Sequence, residues 1–280
     1  MIAGEAEKTY LELMELFGSR AQAARCDTIS QRLKKVRDLT LVRVAGPNYL
    51  VIACDSDGGI GPKVHDTVYT TGYWLGRLAA RVPLMEVMAS GAAPLLVLNA
   101  LSVELEPTGK SIIAGVRAEA AAAGLTDPAA VSGSTEENVP TVATGVGVTV
   151  IGVGQEALLK PGTGRAFELV AAVGVPKSAP ADDVTSSDRD IADLSTVRSL
   201  LGLSFIGDIL PVGSKGIAYE ARQMAMAAGL NLLLDQGCPL DVNKSAGPST
   251  CVLVSLPENC LPQLAAAVDK PVAPVGQLVP

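Results

Sequence analysis

Two successive sets of strand-like apolar runs, parted by one glycine- and proline-bearing stretch, constrain this chain more than any other feature. In the first set, LTLVRVA (39–45) and YLVIACD (49–55) flank a Gly-Pro-Asn turn and read as a β-hairpin. PLLVLNALSVEL (94–105) and TVATGVGVTVIGV (141–153) read as further strands. Between them, 66–90 has helical period, interrupted near Pro83, and the alanine-rich 109–123 reads as a helix. Then GQEALLKPGTG (154–164) breaks the pattern as a linker. The second set follows: strand 167–175, helix 195–202, strand 204–212, helix 215–228, strands 230–234 and 251–256, helix 258–268 and a strand near 271–278. Ahead of both sets, 6–17 and 28–37 have helical spacing, with Thr28 as N-cap. Hairpins mixed with crossover helices, twice in succession, predict two α+β units rather than one doubly wound sheet.

Composition narrows the function classes. Net charge is −7, and no basic run is longer than KKVR, which argues against a nucleic-acid surface. The apolar stretches are too short to span a bilayer, and the acidic, amphipathic start lacks the form of a signal peptide. Five cysteines form no CxxC pair, so a reducing cytoplasm is the expected compartment. A single histidine, His65, excludes multi-histidine zinc sites, and no nucleophile-elbow sequence accompanies it.

The chemistry-bearing stretch is CDSDGGIGPKV (54–64). It reads in two ways: a tight turn, or carboxylates and a glycine loop that hold a metal and phosphate. Two other places carry acids suited to the second reading. Glu86 lies in PLMEVMASGAAP, an acid among apolar helical neighbours, and SGSTEENVPT (132–141) is a small, acidic loop before a strand. Metal-assisted phosphoryl transfer needs carboxylates for Mg²⁺ and donors for phosphate, but no protein nucleophile. TGKS (108–111) imitates the end of a Walker A loop, yet Glu104 stands where its first glycine belongs, so it reads as a helix start.

In this order the motifs resemble the AIR-synthase-like, PurM-like ATP-binding superfamily, from about residue 38 to the end. That superfamily includes aminoimidazole ribonucleotide synthetase, thiamine-monophosphate kinase, selenophosphate synthetase and a hydrogenase maturation enzyme. DGGIGPKV resembles its Asp-Gly-rich loop, LMEVMASGAAPLLVLNALS its acid-bearing helix and following strand, and SGSTEENVPTVATGVGVTVIGVG its third loop and closing strand. FIGDILPVGSKGIAYEARQM and AGPSTCVLVSLPE match more loosely.

With the helical spacing of 1–37 read as an extension, the resemblance implies an ATP-binding domain over 38–153 and a second domain, an α/β sandwich, over 165–280. The first domain would lend strands to a β-barrel shared in a homodimer, checked by light scattering. It implies ATP and Mg²⁺ as cofactors. Asp55 or Asp57 and Glu86 would be metal ligands, and Gly58, Gly59, Gly61, Lys63, Ser134 and Thr135 would line the nucleotide. Ser134 stands where relatives carry Asp, Glu or His, so Glu136 (as metal ligand) or Glu137 (as catalytic acid) is expected to compensate. Glu86 stands where Asp is usual; its longer side chain would shift the ion or require a water. Asp57, Lys63 and Glu137 are the expected catalytic set. CDSDGGIGPK, HDTV and SGSTEENVPT are most similar to the short α-ribazole kinases, implying transfer of the ATP γ-phosphoryl group to that nucleoside's 5′-hydroxyl. The alternatives are a thiamine-monophosphate kinase, an ATP-dependent synthetase, or a nucleotide-binding protein without catalysis.

Overall fold

A computed structural model describes residues 32–185 and 188–280. The helix expected over 6–17, the Thr28 cap and most of the expected extension lie outside the described residues. Strand β1 (Leu33–Val36) pairs with β2 (Leu39–Ala45), and β2 with β3 (Asn48–Gly58). Beyond β3 come β8 (Gly145–Gln155), β6 (Ala93–Leu101) and β7 (Val131–Thr135), giving the order β1-β2-β3-β8-β6-β7. Neighbours are antiparallel except β6 and β7, which run parallel. A two-stranded parallel ribbon, β4 (Ile60–Gly61) with β5 (Val68–Tyr69), hangs from the end of β3.

The expected helix over 28–37 is corrected where it can be seen. Leu33–Val36 is a strand, turned back at Arg37 with φ 56°. Arg32 is still helical, but LKKV fits neither period strongly and takes its hydrogen bonds from a strand partner. The exposed edge of β2 supplies them. The expected start of the next helix is also corrected: residues 66–71 form β5 and its flanks, and α1 spans Gly72–Ala89, with the Thr71 hydroxyl accepting from Trp74 N–H. No break occurs at Pro83, which lies buried inside α1. Packing on both sides outweighs the roughly 3 kcal/mol cost of a proline within a helix.

That packing is close. α1 lies on β3 and β8 and against α2 (Lys110–Ala122). A Cβ on Gly76 would stand 2.0 Å from Ile112 O, and one on Gly115 2.0 Å from Tyr73 O. The two helices therefore meet backbone to backbone, with glycine the residue that permits it. Leu84, Met85 and Val87 of α1 are fully buried with Val51 and Val150 of the sheet. Each such side chain contributes about 1.5–3 kcal/mol. Alternate residues Leu50, Ile52, Leu96 and Ile151 turn to the opposite face, where they are only partly buried.

The second sheet has the order β10-β12-β9-β13-β11, all antiparallel. Its strands are β9 (Leu169–Gly174), β10 (Ile209–Pro211), β11 (Asn231–Leu234), β12 (Cys251–Leu256) and β13 (Val272–Val279). Helix α4 (Ile217–Ala227) packs on one face, while α3 (Leu194–Leu201) and α5 (Leu261–Ala267) share the other face with the core around α1. β10 is shorter than the expected 204–212, because residues 204–208 turn away to join the two units. There Asp208, fully buried, takes the Arg37 guanidinium in a fork: Nη1 meets Oδ1 at 3.1 Å and Nη2 meets Oδ2. Gly162 N–H adds a bond to Oδ2 at 2.9 Å, so both units and the segment between them converge on one carboxylate. The result is the mixed α+β fold expected from the sequence.

Candidate functional site

Strand period places the acids. Tyr49, Val51 and Ala53 point inward under α1, and by alternation Asp55 and Asp57 continue the same row, half-buried, as β3 ends. Burial and the charge of Asp55 push the Asp57 carboxyl up to about 6. Burial, together with Asp38, raises Asp55 as well, against a backbone hydrogen bond at Ser56. From above, α1 brings in Glu86. Its Oε2 is sealed from solvent and has no hydrogen-bond partner among the described residues. Burial pushes this carboxyl up to about 8, reinforced by Asp38, Asp55 and Glu220.

Two of these acids were not anticipated. Asp38 sits in the β1–β2 turn beside Arg37, and Glu220, 5% exposed, comes from the first turn of α4 in the second unit. Burial and Asp38 raise Glu220 to about 7, against Lys215 and Arg37. The sequence did carry a signal for Glu220. It shares a helical stripe with buried Ile217 and Met224, the same pattern that exposed Glu86. A cavity of about 20 Å³ opens beside Glu86, lined by Arg37, Asp38, Ser90 and Ile209 among others. It has room for about one water.

The glycine loop is braced. Gly59 (φ 70°) and Gly61 (φ 148°) take backbone forms that glycine favours, and a Cβ on Gly61 would strike Thr144 Oγ1 at 2.6 Å. Gly59 N–H donates to Thr144 O at 2.9 Å, and Lys63 N–H to Asp66 Oδ2 at 2.8 Å. Asp66 also accepts from Thr144 N–H and Oγ1, both at 2.7 Å, so the HDTV aspartate holds the loop's shape. Gly58 closes β3 opposite Gly145.

Lys63 does not stand free. Its ammonium is paired with Glu104, which also accepts from Thr108 Oγ1 at 2.6 Å. Slight burial opposes ionisation, but the bonds from Lys63 and Thr108 hold Glu104 down to about 2. The residue that breaks the Walker pattern is thus the partner of the loop lysine.

The third motif meets the first through Val142 and Thr144, with His65 N–H donating to Val142 O at 3.0 Å. Ser134 and Thr135 end β7 opposite Ala100 and Leu101. The Glu136 carboxylate accepts from Asn138 N–H at 2.7 Å and Val139 N–H at 3.1 Å, within its own turn. Glu137 Oε1 accepts from Leu105 N–H at 2.7 Å and Thr135 Oγ1 at 2.9 Å. Each orders backbone through Oε1 alone. The expected four-acid set of Asp55, Asp57, Glu86 and Glu136 is not assembled: among the described residues, no three His, Cys, Asp or Glu stand close enough to form a metal cage.

The donors nonetheless suit Mg²⁺. They are hard oxygens, one of them a buried orphan, and Asp57 is raised by burial and by the charge of Asp55. Mg²⁺ is commonly held by one or two carboxylates plus substrate phosphates and water rather than by a closed protein cage. Asp55 and Asp57 fit that role.

No curated protein sequence matches the chain. Residues 37–154 match the family described as AIR synthase related protein, N-terminal domain. Solved structures share the fold at low identity. HypE, a hydrogenase maturation protein of E. coli, superposes with TM-score 0.62 at 15% identity over 98% of this chain and 91% of that one. Thiamine monophosphate kinase from Aquifex aeolicus gives 0.61 at 15% identity over 88% and 90%. AaThiL complexed with AMPPCP and TMP gives 0.59 at 13% identity over 86% and 84%. Residues 37–154 are thus similar to the AIR synthase related N-terminal domain, and the chain as a whole shares the fold of HypE and thiamine monophosphate kinase.

Proposed function

We propose that the protein is an ATP-dependent phosphotransferase acting on a small molecule, with the 5′-hydroxyl of α-ribazole as the first acceptor. The observation that carries this reading is the row of uncompensated acids, Asp55, Asp57 and Glu86, beside a glycine loop ending in Lys63. Neighbours of the same fold are solved with the ATP analogue AMPPCP, which supports nucleotide binding. Asp55 and Asp57 would hold Mg²⁺ against the triphosphate, where the ion neutralises phosphate charge. Lys63 exchanges Glu104 for the phosphates and orients them. Glu137, through Leu105 and Thr135, keeps the third loop in place beside Lys63's partner, a positioning role rather than a chemical one. Glu86 and Glu220 close the far side of the cluster and keep it poor in water. α-Ribazole is put first because SGSTEENVPT resembles the short kinases of that nucleoside. The open face of the first sheet supports the homodimer expected from the same resemblance.

A second acceptor has support of its own: AaThiL, similar in fold, is solved with TMP beside AMPPCP. The test follows γ-labelled ATP with Mg²⁺ and either α-ribazole or thiamine monophosphate. Label on α-ribazole is the expected outcome. Label on thiamine monophosphate alone would keep the kinase and replace its substrate. Label confined to ATP and free phosphate with both acceptors would end the reading.

A further inference from the structure

A second and larger cavity, of about 400 Å³, lies on the other side of the Arg37–Asp208 tie and shares no residue with the acid cluster. It is framed by the segment joining the two units and by the turn before β10. Its volume falls in the range of small-molecule sites, about 300–1,000 Å³.

The walls are of two kinds. Leu158 and Phe205 are apolar, and Leu158 is 63% exposed. The polar side holds Lys160, Arg165 and Glu168. Lys160 Nζ gives one hydrogen bond, to Ile206 O at 2.9 Å, leaving two donors unspent. The Arg165 guanidinium makes no hydrogen bond or ion pair with any described residue, so its full fork of donors is available. Glu168, the acid of the set, is occupied: its Oε2 accepts from Ser255 Oγ at 2.7 Å and Arg165 N–H at 3.1 Å. With two cations against one carboxylate the cavity is locally cationic, on a chain whose net charge is −7. Two residues past Arg165, Phe167 is 65% exposed at φ 71°, a backbone region that bulky side chains avoid. Its N–H to Leu278 O, at 2.7 Å, holds it there.

We propose that this cavity binds a small organic anion, an apolar body carrying one phosphate or carboxylate, with Arg165 and Lys160 taking the anionic group. The ligand rests on the joint between units. Lys160 bonds Ile206, Thr163 Oγ1 bonds Gly207 O at 2.9 Å, and Gly162 bonds Asp208, the residue that holds Arg37. Occupancy therefore stiffens the joint and raises thermal stability. None of this depends on the reaction proposed above.

The test uses the full chain with Mg²⁺ and excess AMPPCP, so that an anion bound at the acid cluster would be displaced. Phenyl phosphate and benzoate are titrated by calorimetry. Binding of one of them is expected, the preferred probe naming the anionic group. Arg165→Ala is expected to weaken it about tenfold, the scale of a lost charge-assisted hydrogen bond, and Arg165→Glu to abolish it. Arg165 is exposed and bonds nothing through its side chain among the described residues, so both variants should melt like the parent without ligand. Failure of both probes to bind, displacement by AMPPCP, or unchanged affinity in Arg165→Glu would overturn the proposal.

Discussion

Two buried ionic groups flank α1, and they are built on opposite terms. Toward α2, Glu119 is 1% exposed and fully answered: Arg81 Nε meets Oε1 at 2.9 Å and Arg77 Nε meets Oε2 at 2.7 Å. Arg77 also lies over the Trp74 ring, 5.5 Å from its centroid. Toward β3, Glu86 has an unpartnered oxygen and carboxylates for neighbours. The first arrangement is what a fold does with a charge it must bury, pairing it and bonding every donor within reach. The second is a carboxyl that the protein leaves without a cation and holds protonated, a perturbed group of the kind that marks candidate functional sites.

The comparison can be broken from either side. Glu119→Ala leaves two arginines unpaired between helices, and a loss of about 3–5 kcal/mol is expected in urea unfolding. A loss near zero would mean the triad is no structural element. Asp57→Asn keeps size and removes charge. A turnover loss of about a hundredfold, the scale of one electrostatic partner of the transition state, is expected with the unfolding curve unmoved or shifted to higher denaturant. Turnover equal to the parent would strip the acid row of its role.

The smallest effect is the most diagnostic. Glu86 titrates at about 8 in the fold, above the ordinary 4.5, so the folded state holds the extra proton across that window. Stability from this group is intact below 4.5 and declines as pH rises through 8. Glu86→Gln should remove the decline. It should raise Tm at pH 8 and change nothing near pH 4.5. Asp57, raised to about 6, gives the same sign over a lower window. The corresponding change at Glu119 should destabilise at every pH. A Glu86→Gln variant less stable than the parent at pH 8 would make the two regions alike.

Much of this was legible beforehand, because the signals are local. Asp55 was read at the end of a strand, which the structure carries on past Asp57 to Gly58, and β12 occupies the expected 251–256. The apolar surroundings of Glu86 marked an acid turned inward. Where local signals were weak the reading slipped. LKKV joined an edge strand, and the helix expected from 66 begins at Gly72, because residues before it found a partner in Ile60–Gly61. The third motif was legible as an acidic loop, but not in what its acids touch.

That division has a physical basis. A side chain's face follows from backbone period within one element, so the sequence by itself determined the α+β class, the strand that ends in Asp55 and an acid within the apolar helix around Glu86. Which groups then meet depends on how elements far apart in the chain pack. Only tertiary structure decided that Asp38 and Glu220 join Glu86, that Glu104 takes Lys63, and that Glu137 ties its loop to Leu105 while Glu136 bonds within its own turn. An isolated strand or helix carries the direction of a carboxylate but not its partner, and for a buried charge the partner separates structure from chemistry.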